Sequence, residues 1–315
     1  SSHFGSKVPS LSDIEQHALQ EAPKTAPHSL AMVVLGALGA LGSLALASPA
    51  WKAPGRDLSS QLVDYDNDHI MVFSQTKVGS TSLWVALGSK LEQWNYIDEM
   101  NETYGSITKT HYTDIARDIV AKVPRNKTLW IFTSVRNPFA RLVSAYFEDI
   151  EQKRHLANLT EEQIMAMPMD EMHQDFLKRW PKENFGADNW YSTEFAKIAG
   201  VDLTAHKFPF EEGRLIVEGW VHGRPTIVVL LRAEDVCCWW DIMRHHVPNW
   251  NPVHKEDARE LWYGSKYDEF KKSFVWPQHI VEAISVADSL HWYTIAERAV
   301  MLRKALGVRL DHLEN

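Results

Sequence analysis

The chain has 315 residues, of which 45% are hydrophobic and 23% charged, a composition typical of a globular protein large enough to bury a core. This balance excludes an intrinsically disordered chain and a collagen-like repeat. The net charge of −8 argues against general binding to nucleic acids, and two cysteines exclude both a disulfide scaffold and a four-cysteine zinc site.

The first 67 residues differ in composition from the rest of the chain. We assign residues 1–28 to an N-terminal tail, and residues 29–50 contain no charged side chain over a length that suits a bilayer-spanning helix. We therefore predict a transmembrane helix at 29–50, with a buried helix and a cleaved signal peptide as the alternatives. Residues 51–67 include Pro54 and Gly55 and predict a linker or stem.

From residue 68 onward, apolar runs alternate with amphipathic stretches. The apolar runs predict buried strands at residues 69–74, 106–111, 128–135 and 225–231. The amphipathic stretches predict helices at residues 81–92, 114–123 and 139–152. This alternation predicts one α/β domain over residues 68–315, with a parallel sheet flanked by helices. Residues 157–200 break the alternation and predict a helical insertion, and the C-terminal part is predicted to be mostly helical.

A candidate anion-binding loop comes directly after the first predicted strand. Residues 75–82 read Gln-Thr-Lys-Val-Gly-Ser-Thr-Ser, a tight turn followed by a helix start. Amide groups at a helix N-terminus attract anions, Gly79 permits close approach of the backbone, and Lys77 adds positive charge. Because the lysine precedes the glycine, this is not the Gly-Lys-Ser/Thr loop of kinases. A capped helix start with a surface lysine is the alternative interpretation.

A second candidate anion site comes after the strand predicted at 128–135. Arg136 is followed by Asn137 and Pro138 and by a helix that carries Ser144 about two turns from its start. An arginine at the carboxyl end of a parallel strand faces the crevice where α/β sheets bind ligands, and it can contact phosphate in a bidentate manner. A capped helix with a structural arginine is the alternative interpretation.

Together, K-x-G-S-T-S after the first strand and R-N-P-x-x-R-x-x-S-x-Y after the later one resemble the two signatures of sulfotransferases that use 3′-phosphoadenosine 5′-phosphosulfate (PAPS). The resemblance implies a P-loop NTPase-like fold and PAPS as the donor. It implies that the 5′-phosphosulfate is bound by the residues of the first loop, Lys77, Val78, Gly79, Ser80, Thr81 and Ser82. It also implies that Arg136 and Ser144 bind the 3′-phosphate.

A third segment, Lys109-Thr110-His111, is similar to a stretch of the same superfamily in which the histidine is the catalytic base. Histidine side chains ordinarily titrate at about pH 6.5, so His111 can take the proton of an acceptor hydroxyl near neutrality. We expect Lys77 to stabilise the oxygen that leaves the sulfur, and Lys109 to contact the acceptor or the sulfuryl group. The resemblance requires no metal ion, because lysine and arginine neutralise the nucleotide.

Two further sequence features narrow the choice among the subgroups of sulfotransferases. Residues 188–192, Asp-Asn-Trp-Tyr-Ser, are similar to the N-K-W-Y-S signature of a sulfotransferase-like family assigned to capsular polysaccharide synthesis. The chain departs from the cytosolic sulfotransferases, which place tryptophan where Leu83 stands and tyrosine where Ala233 stands, and which carry an R-K-G triplet near the C-terminus. These departures argue against the cytosolic subgroup, and the predicted membrane helix together with the N-x-S/T sequons points instead to the Golgi-type carbohydrate sulfotransferases, with a glycan hydroxyl as the acceptor.

The N-terminal half also bears on localisation. Three N-x-S/T sequons follow the apolar segment, at Asn101, Asn126 and Asn158. With the predicted membrane helix, they lead us to expect a single-pass Golgi protein whose catalytic domain lies in the lumen.

Other functions stay open at this stage. A D-x-D motif within residues 64–68 is typical of metal sites in glycosyltransferases, although a solvated acidic turn is the favoured interpretation because the motif precedes a strand. A P-loop kinase or nucleotidase, and a non-catalytic protein that retains the fold, are the alternative functions.

Overall fold

The computed structural model of the protein describes residues 62–88, 102–104, 107–152, 156–179, 189–248, 250–251 and 258–308. All of these residues fall within the same structural unit. The tail predicted at 1–28 and the membrane helix predicted at 29–50 lie outside the described residues. Among the residues that are described, no helix combines the length and the apolar character needed to cross a bilayer.

A six-stranded sheet in the order β2-β3-β1-β4-β6-β5 forms the centre of the fold. Its strands are β1 His69–Phe73, β2 Glu102–Tyr104, β3 Ile107–Thr110, β4 Leu129–Val135, β5 Arg214–Val221 and β6 Arg224–Arg232. The four central strands are parallel, whereas β2 and β5 run antiparallel at the two edges. The predicted α/β fold with a mostly parallel sheet is confirmed, and the four predicted strands match the structure to within one residue at each end.

The two antiparallel edge strands were not predicted. Residues of β5 alternate between buried and half-buried along most of its length, which is the pattern of a strand covered on one face only. β5 and β6 are joined by His222 and Gly223, which have φ angles of 49° and 79°. Positive φ at both central residues is typical of a tight hairpin turn, so the hairpin is encoded in a dipeptide that apolar patterning does not reveal.

Helices lie on both faces of the sheet and beyond its edge. They are α1 Ser80–Ala86, α2 Thr113–Lys122, α3 Pro138–Glu151, α4 Glu161–Ala166, α5 Met169–Arg179, α6 Ala196–Ala199, α7 Trp239–Met243, α8 Gly264–Ser273, α9 Gln278–Ile284 and α10 Ile295–Ala305. A π-helical turn at Tyr191–Phe195 leads into α6. Short 3-10 turns occupy Leu203–Ala205, Ala233–Cys238, Ala258–Glu260 and Asp288–Trp292. The helix predicted at 81–92 begins one residue earlier, and residues 89–92 lie outside the described part.

Alternate residues of the central strands enter two different hydrophobic clusters. Met71 and Ile131 pack with α2 and α6 on one face. Val72 and Phe132 pack with α1 and α7 on the other. Because successive side chains of a strand point to opposite faces, covering both faces requires every position to be apolar. This explains the uninterrupted apolar runs from which the strands were predicted.

The helical insertion predicted at residues 157–200 contributes to two cores. Its helices α4 and α5 join α3, α8 and α9 in a third, aromatic-rich cluster that includes Phe147 and Phe176. Its last part instead packs on the sheet, where the Trp190 ring lies 4.9 Å from the Phe73 ring. The described residues of this segment are mostly helical, as predicted, and they do not form a core of their own.

We predict that Gly200→Ala lowers the free energy of unfolding by about 2–4 kcal/mol, the sum of left-handed backbone strain and overpacking. Gly200 ends α6 with a φ of 69°, and an added Cβ would lie 2.5 Å from both the Trp220 carbonyl oxygen and a Val221 methyl group. Gly223→Ala is the matched control, because Gly223 also has a positive φ but nothing lies within 4 Å of the added Cβ. Urea unfolding followed by circular dichroism measures both variants, and equal losses would contradict the steric argument.

Candidate functional site

The candidate site lies where the parallel strands end, along the side of the sheet formed by their carboxyl ends, which we call the sheet edge from here on. Because β1, β3, β4 and β6 are parallel, their carboxyl ends meet at this edge. The loop of residues 74–79 follows β1, His111 follows β3 and Arg136 follows β4. The strand order changes direction between β1 and β4, and such a switch point is where open α/β sheets bind ligands.

Two residues with positive φ shape the first loop, which we define as residues 74–79. Lys77 has a φ of 61° and Gly79 a φ of 88°. An added Cβ on Gly79 would lie 3.5 Å from the Trp239 ring, an ordinary van der Waals contact. Glycine is therefore favoured at position 79 by the left-handed backbone conformation, and a small side chain would have room there. Within the described part of the chain, no side chain caps α1 where it begins after Gly79.

The two predicted anion loops touch each other. The Arg136 guanidinium donates from Nη1 to the carbonyl oxygen of Lys77 over 3.1 Å. Two residues before Arg136, the Ser134 hydroxyl donates to the carbonyl oxygen of Val78 over 2.7 Å. The end of β4 therefore holds the backbone of the first loop in place, and the two loops are close enough to contact one ligand.

His111 is held by the first loop in a defined orientation. Its Nδ1 lies 2.8 Å from the carbonyl oxygen of Ser74, and its Nε2 lies 3.3 Å from the Ser80 hydroxyl. A carbonyl oxygen only accepts hydrogen bonds, so Nδ1 carries a proton. In the neutral imidazole, Nε2 therefore carries the lone pair and faces the first turn of α1. This is the nitrogen that can act as a base.

Lys109 reaches the same turn from the neighbouring strand. Its ammonium group donates to the Thr81 hydroxyl over 3.3 Å and lies 5.5 Å from the centre of the Trp84 ring. A cation within about 6 Å of an indole ring is attracted by the electrons of its face. Lys109 and His111 therefore both contact the first turn of α1.

Lys77 has a partner that the sequence did not indicate. Its ammonium group forms an ion pair with Glu148 on α3, with Nζ 3.1 Å from Oε1. The two side chains are 16% and 24% exposed. Since residues four apart share one face of a helix, Ser144 lies on the face of α3 that carries Glu148. Ser144 is only 4% exposed, so a ligand that contacts its hydroxyl must lie against α3 itself.

Glu234, the second residue after β6, contacts the loop after β4 and Tyr293, and it was also missed as a site residue. Its carboxylate accepts a hydrogen bond from the Asn137 amide over 2.7 Å and one from the Tyr293 hydroxyl over 2.8 Å. Burial, together with the Glu234 charge, raises the pKa of the Tyr293 phenol well above its usual value, so the hydroxyl stays a donor. The Asn137 side chain meanwhile caps α3 by accepting from the amides of Phe139 and Ala140.

The Trp-Tyr-Ser segment supports the site from behind. The Tyr191 side chain is fully buried, and its hydroxyl donates to the carbonyl oxygen of Ser134 over 2.8 Å. The amide and hydroxyl of Ser192 both donate to one carboxylate oxygen of Asp288, each over 2.8 Å. These contacts give the segment a structural role at the strand end that precedes Arg136.

The D-x-D motif forms the acidic turn that was the favoured interpretation. Asp64 accepts hydrogen bonds from the amides of Asp66 and Asn67, and contacts with Asn67 and Asp66 lower the pKa of the exposed Asp64 carboxyl. Asp68 is buried and accepts from the Trp130 indole over 2.8 Å. Across the described ranges, no group of three or more acidic, histidine or cysteine side chains is placed to hold a metal ion.

Comparison of the chain with models of known protein families, with curated proteins and with solved structures finds no match. The residues at the carboxyl ends of the parallel strands, and the two sequence signatures that they carry, are therefore the features that bear on function.

Proposed function

We propose that the protein is a PAPS-dependent sulfotransferase that transfers a sulfuryl group to a hydroxyl group of a carbohydrate. One observation carries the proposal: the arginine of one loop bonds the backbone of the lysine loop, with Arg136 Nη1 3.1 Å from the Lys77 oxygen. PAPS is anionic at both ends of its adenosine, and two cationic loops in contact suit a ligand of this kind. On the strength of the same loops, we propose that the sheet is of the P-loop NTPase-like class.

The donor is proposed to lie across the two loops. Its 5′-phosphosulfate binds to the first loop and the start of α1, the segment from Lys77 to Ser82. Its 3′-phosphate binds to Arg136 and to Ser144 on α3. Lys77 already forms an ion pair with Glu148 on the same helix face. Binding of the donor must therefore break this ion pair, so that the ammonium group contacts the donor instead.

The proposed reaction is an in-line displacement at sulfur. The oxygen of the acceptor hydroxyl forms a bond to sulfur while the bond from sulfur to the 5′-phosphate oxygen breaks, and that oxygen leaves with the electron pair. His111 Nε2 takes the acceptor proton, since its Nδ1 proton is committed to Ser74. Lys77 stabilises the negative charge on the leaving oxygen. Lys109 contacts the sulfuryl group or the acceptor beside Thr81.

We further propose that the catalytic part lies in the Golgi lumen behind a membrane helix at residues 29–50. The support is the uncharged sequence of that segment, together with two sequons, at Asn126 and Asn158, whose asparagines are exposed in the structure. Exposure is what attachment of a glycan to these residues requires.

Calorimetry and an activity screen test the proposed function. The desulfated product 3′-phosphoadenosine 5′-phosphate (PAP) is expected to bind without added metal, whereas ATP binds weakly. Labelled PAPS, offered with panels of glycans, tyrosyl peptides and small alcohols, is expected to label a glycan. Tight binding of ATP with magnesium and none of PAP would instead indicate a kinase or nucleotidase. Binding of PAP without turnover on any panel would indicate a non-catalytic protein.

Arg136→Ala is expected to weaken PAP binding by about 10- to 150-fold, the equivalent of roughly 1.5–3 kcal/mol for a hydrogen bond to a charged group. The affinity for adenosine 5′-phosphate, which lacks the 3′-phosphate, should fall much less. Comparing the two ligands by calorimetry separates the phosphate contact from the support that Arg136 gives to the Lys77 backbone. Arg244→Ala is the control, since Arg244 is exposed and pairs with Asp241. Equal losses for both ligands would move Arg136 away from the 3′-phosphate.

A further inference from the structure

Two cysteines meet in the turn that joins β6 to α7. Cys237 and Cys238 are the only cysteines of the chain, and both are exposed, free thiols. They end the 3-10 turn Ala233–Cys238, which begins directly after β6 at the candidate site. Their sulfur atoms lie 3.2 Å apart, so two adjacent side chains point to the same place. Neither residue has a role in the proposed sulfuryl transfer.

We propose that Cys237 and Cys238 form a modification site, a vicinal dithiol that closes reversibly to an intramolecular disulfide by exchange with small disulfides such as oxidised glutathione. The thiolate of one cysteine attacks the small disulfide, breaks its S–S bond and releases one small thiolate. The thiolate of the other cysteine then attacks the protein sulfur of the mixed disulfide and releases the second small thiol. Two protein thiols lose two electrons, the small disulfide gains them, and the two leaving thiolates take up the two protons.

The second step is favoured by proximity and the ring that forms is easily reopened. The attacking and attacked sulfurs already lie 3.2 Å apart, so closure needs no search through the chain. Adjacent Cα atoms are about 3.8 Å apart, whereas disulfides usually join Cα atoms about 4.4–6.8 Å apart. A ring between neighbouring residues is therefore strained, and strained, exposed disulfides are the reducible ones.

The surroundings of the two cysteines affect how fast Cys238 reacts and what lies beside the ring that forms. The hydrogen bond with Cys237 and the nearby charges raise the pKa of the Cys238 thiol, with Asp235 and Asp241 adding to the effect. Because the thiolate is the form that attacks a disulfide and also the form that is overoxidised, the raised pKa slows both reactions of Cys238. The next residue, Trp239, is fully buried, its indole donates to the carbonyl oxygen of Arg232, and its ring lies 3.5 Å from where an added Cβ on Gly79 would stand. Ring closure thus takes place one residue away from a side chain that lies beside the first loop.

The test uses the full chain in buffers of graded ratios of reduced to oxidised glutathione, quenched with acid and alkylated before intact-mass measurement. We expect monomers that lose both alkylation sites together, and that regain both in excess reduced glutathione. Because the chain has no third cysteine, loss of two sites in a monomer without bound glutathione identifies the Cys237–Cys238 ring. Cys237→Ser and Cys238→Ser are the matched controls, and each is expected to accumulate the mixed disulfide that the wild type resolves.

Three results would overturn the proposal: a stable mixed disulfide in the wild type, a disulfide-linked dimer on a non-reducing gel, or two alkylated thiols at every glutathione ratio. None of these measurements involves PAPS, so the dithiol proposal and the proposed function fail or hold separately.

Discussion

Lys77→Ala is expected to lower kcat by about 100- to 1000-fold, equivalent to roughly 3–4 kcal/mol, which is the usual loss when a preorganised group facing developing charge is removed. In the proposed reaction, the breaking bond leaves negative charge on the 5′-phosphate oxygen, and the Lys77 ammonium is the group proposed to stabilise this charge. PAP affinity should fall less than kcat, because Arg136 and the backbone of the loop still contact the nucleotide. Labelled-donor turnover at saturating PAPS gives kcat, and calorimetry gives the PAP affinity.

Two controls separate the charge of Lys77 from its ion pair. Glu148→Gln removes the ion pair and leaves the ammonium in place, so it should retain far more activity than Lys77→Ala. Lys197→Ala removes an exposed lysine that pairs with Glu194, and it should behave as wild type. If Glu148→Gln lost as much activity as Lys77→Ala, the ion pair would be the important feature. Full activity of Lys77→Ala would remove the leaving-group role altogether.

His111→Ala is expected to lower kcat by about 100- to 10,000-fold, the range for loss of a positioned general base, with PAP affinity almost unchanged. We expect affinity to be spared because Lys77 and Arg136, the cationic groups proposed to hold the donor, remain in the variant.

The control for His111 is His222→Ala, which removes an exposed histidine in the β5–β6 turn and should leave kcat unchanged. Free imidazole added to His111→Ala is expected to restore part of the rate, since it can occupy the space and take the proton. Loss of PAP affinity in parallel with kcat would show that His111 supports the loop instead of acting as the base. Unchanged kcat would move the base to another residue, with Glu148 as the next candidate.

The parts of this protein that could be predicted are those encoded locally. A buried parallel strand must be apolar at every position, so β1, β3, β4 and β6 were recognisable from short runs of sequence. The first loop and the Arg136 turn each lie within about ten residues of one strand, and parallel strands bring such segments together without further information. Their placement at the carboxyl ends of neighbouring parallel strands was therefore predictable.

What could not be predicted depends on residues far apart in the chain. Lys77 and Glu148 are 71 positions apart, and Asn137 and Glu234 are 97 apart. Such pairs are brought together by helix packing and strand order, and neither leaves a periodic signal in the sequence. The edge strand β5 was missed for another reason, because its half-buried pattern is interrupted by Gly219 and it depends on β6 as a partner.

The carboxylate of Glu234 has a consequence for how the protein can be divided. Glu234 accepts hydrogen bonds from both Asn137, in the loop after β4, and Tyr293. In the same way, Asp288 accepts a hydrogen bond from Ser192 of the Trp-Tyr-Ser segment, so residues 288–293 contact two parts of the candidate site. A shortened protein ending after β6 would keep both signature motifs intact and would lose the braces that hold them at the proper spacing. A sequence search for the motifs alone would accept such a fragment, although the fragment would lack the contacts that Tyr293 and Asp288 make beside the candidate site.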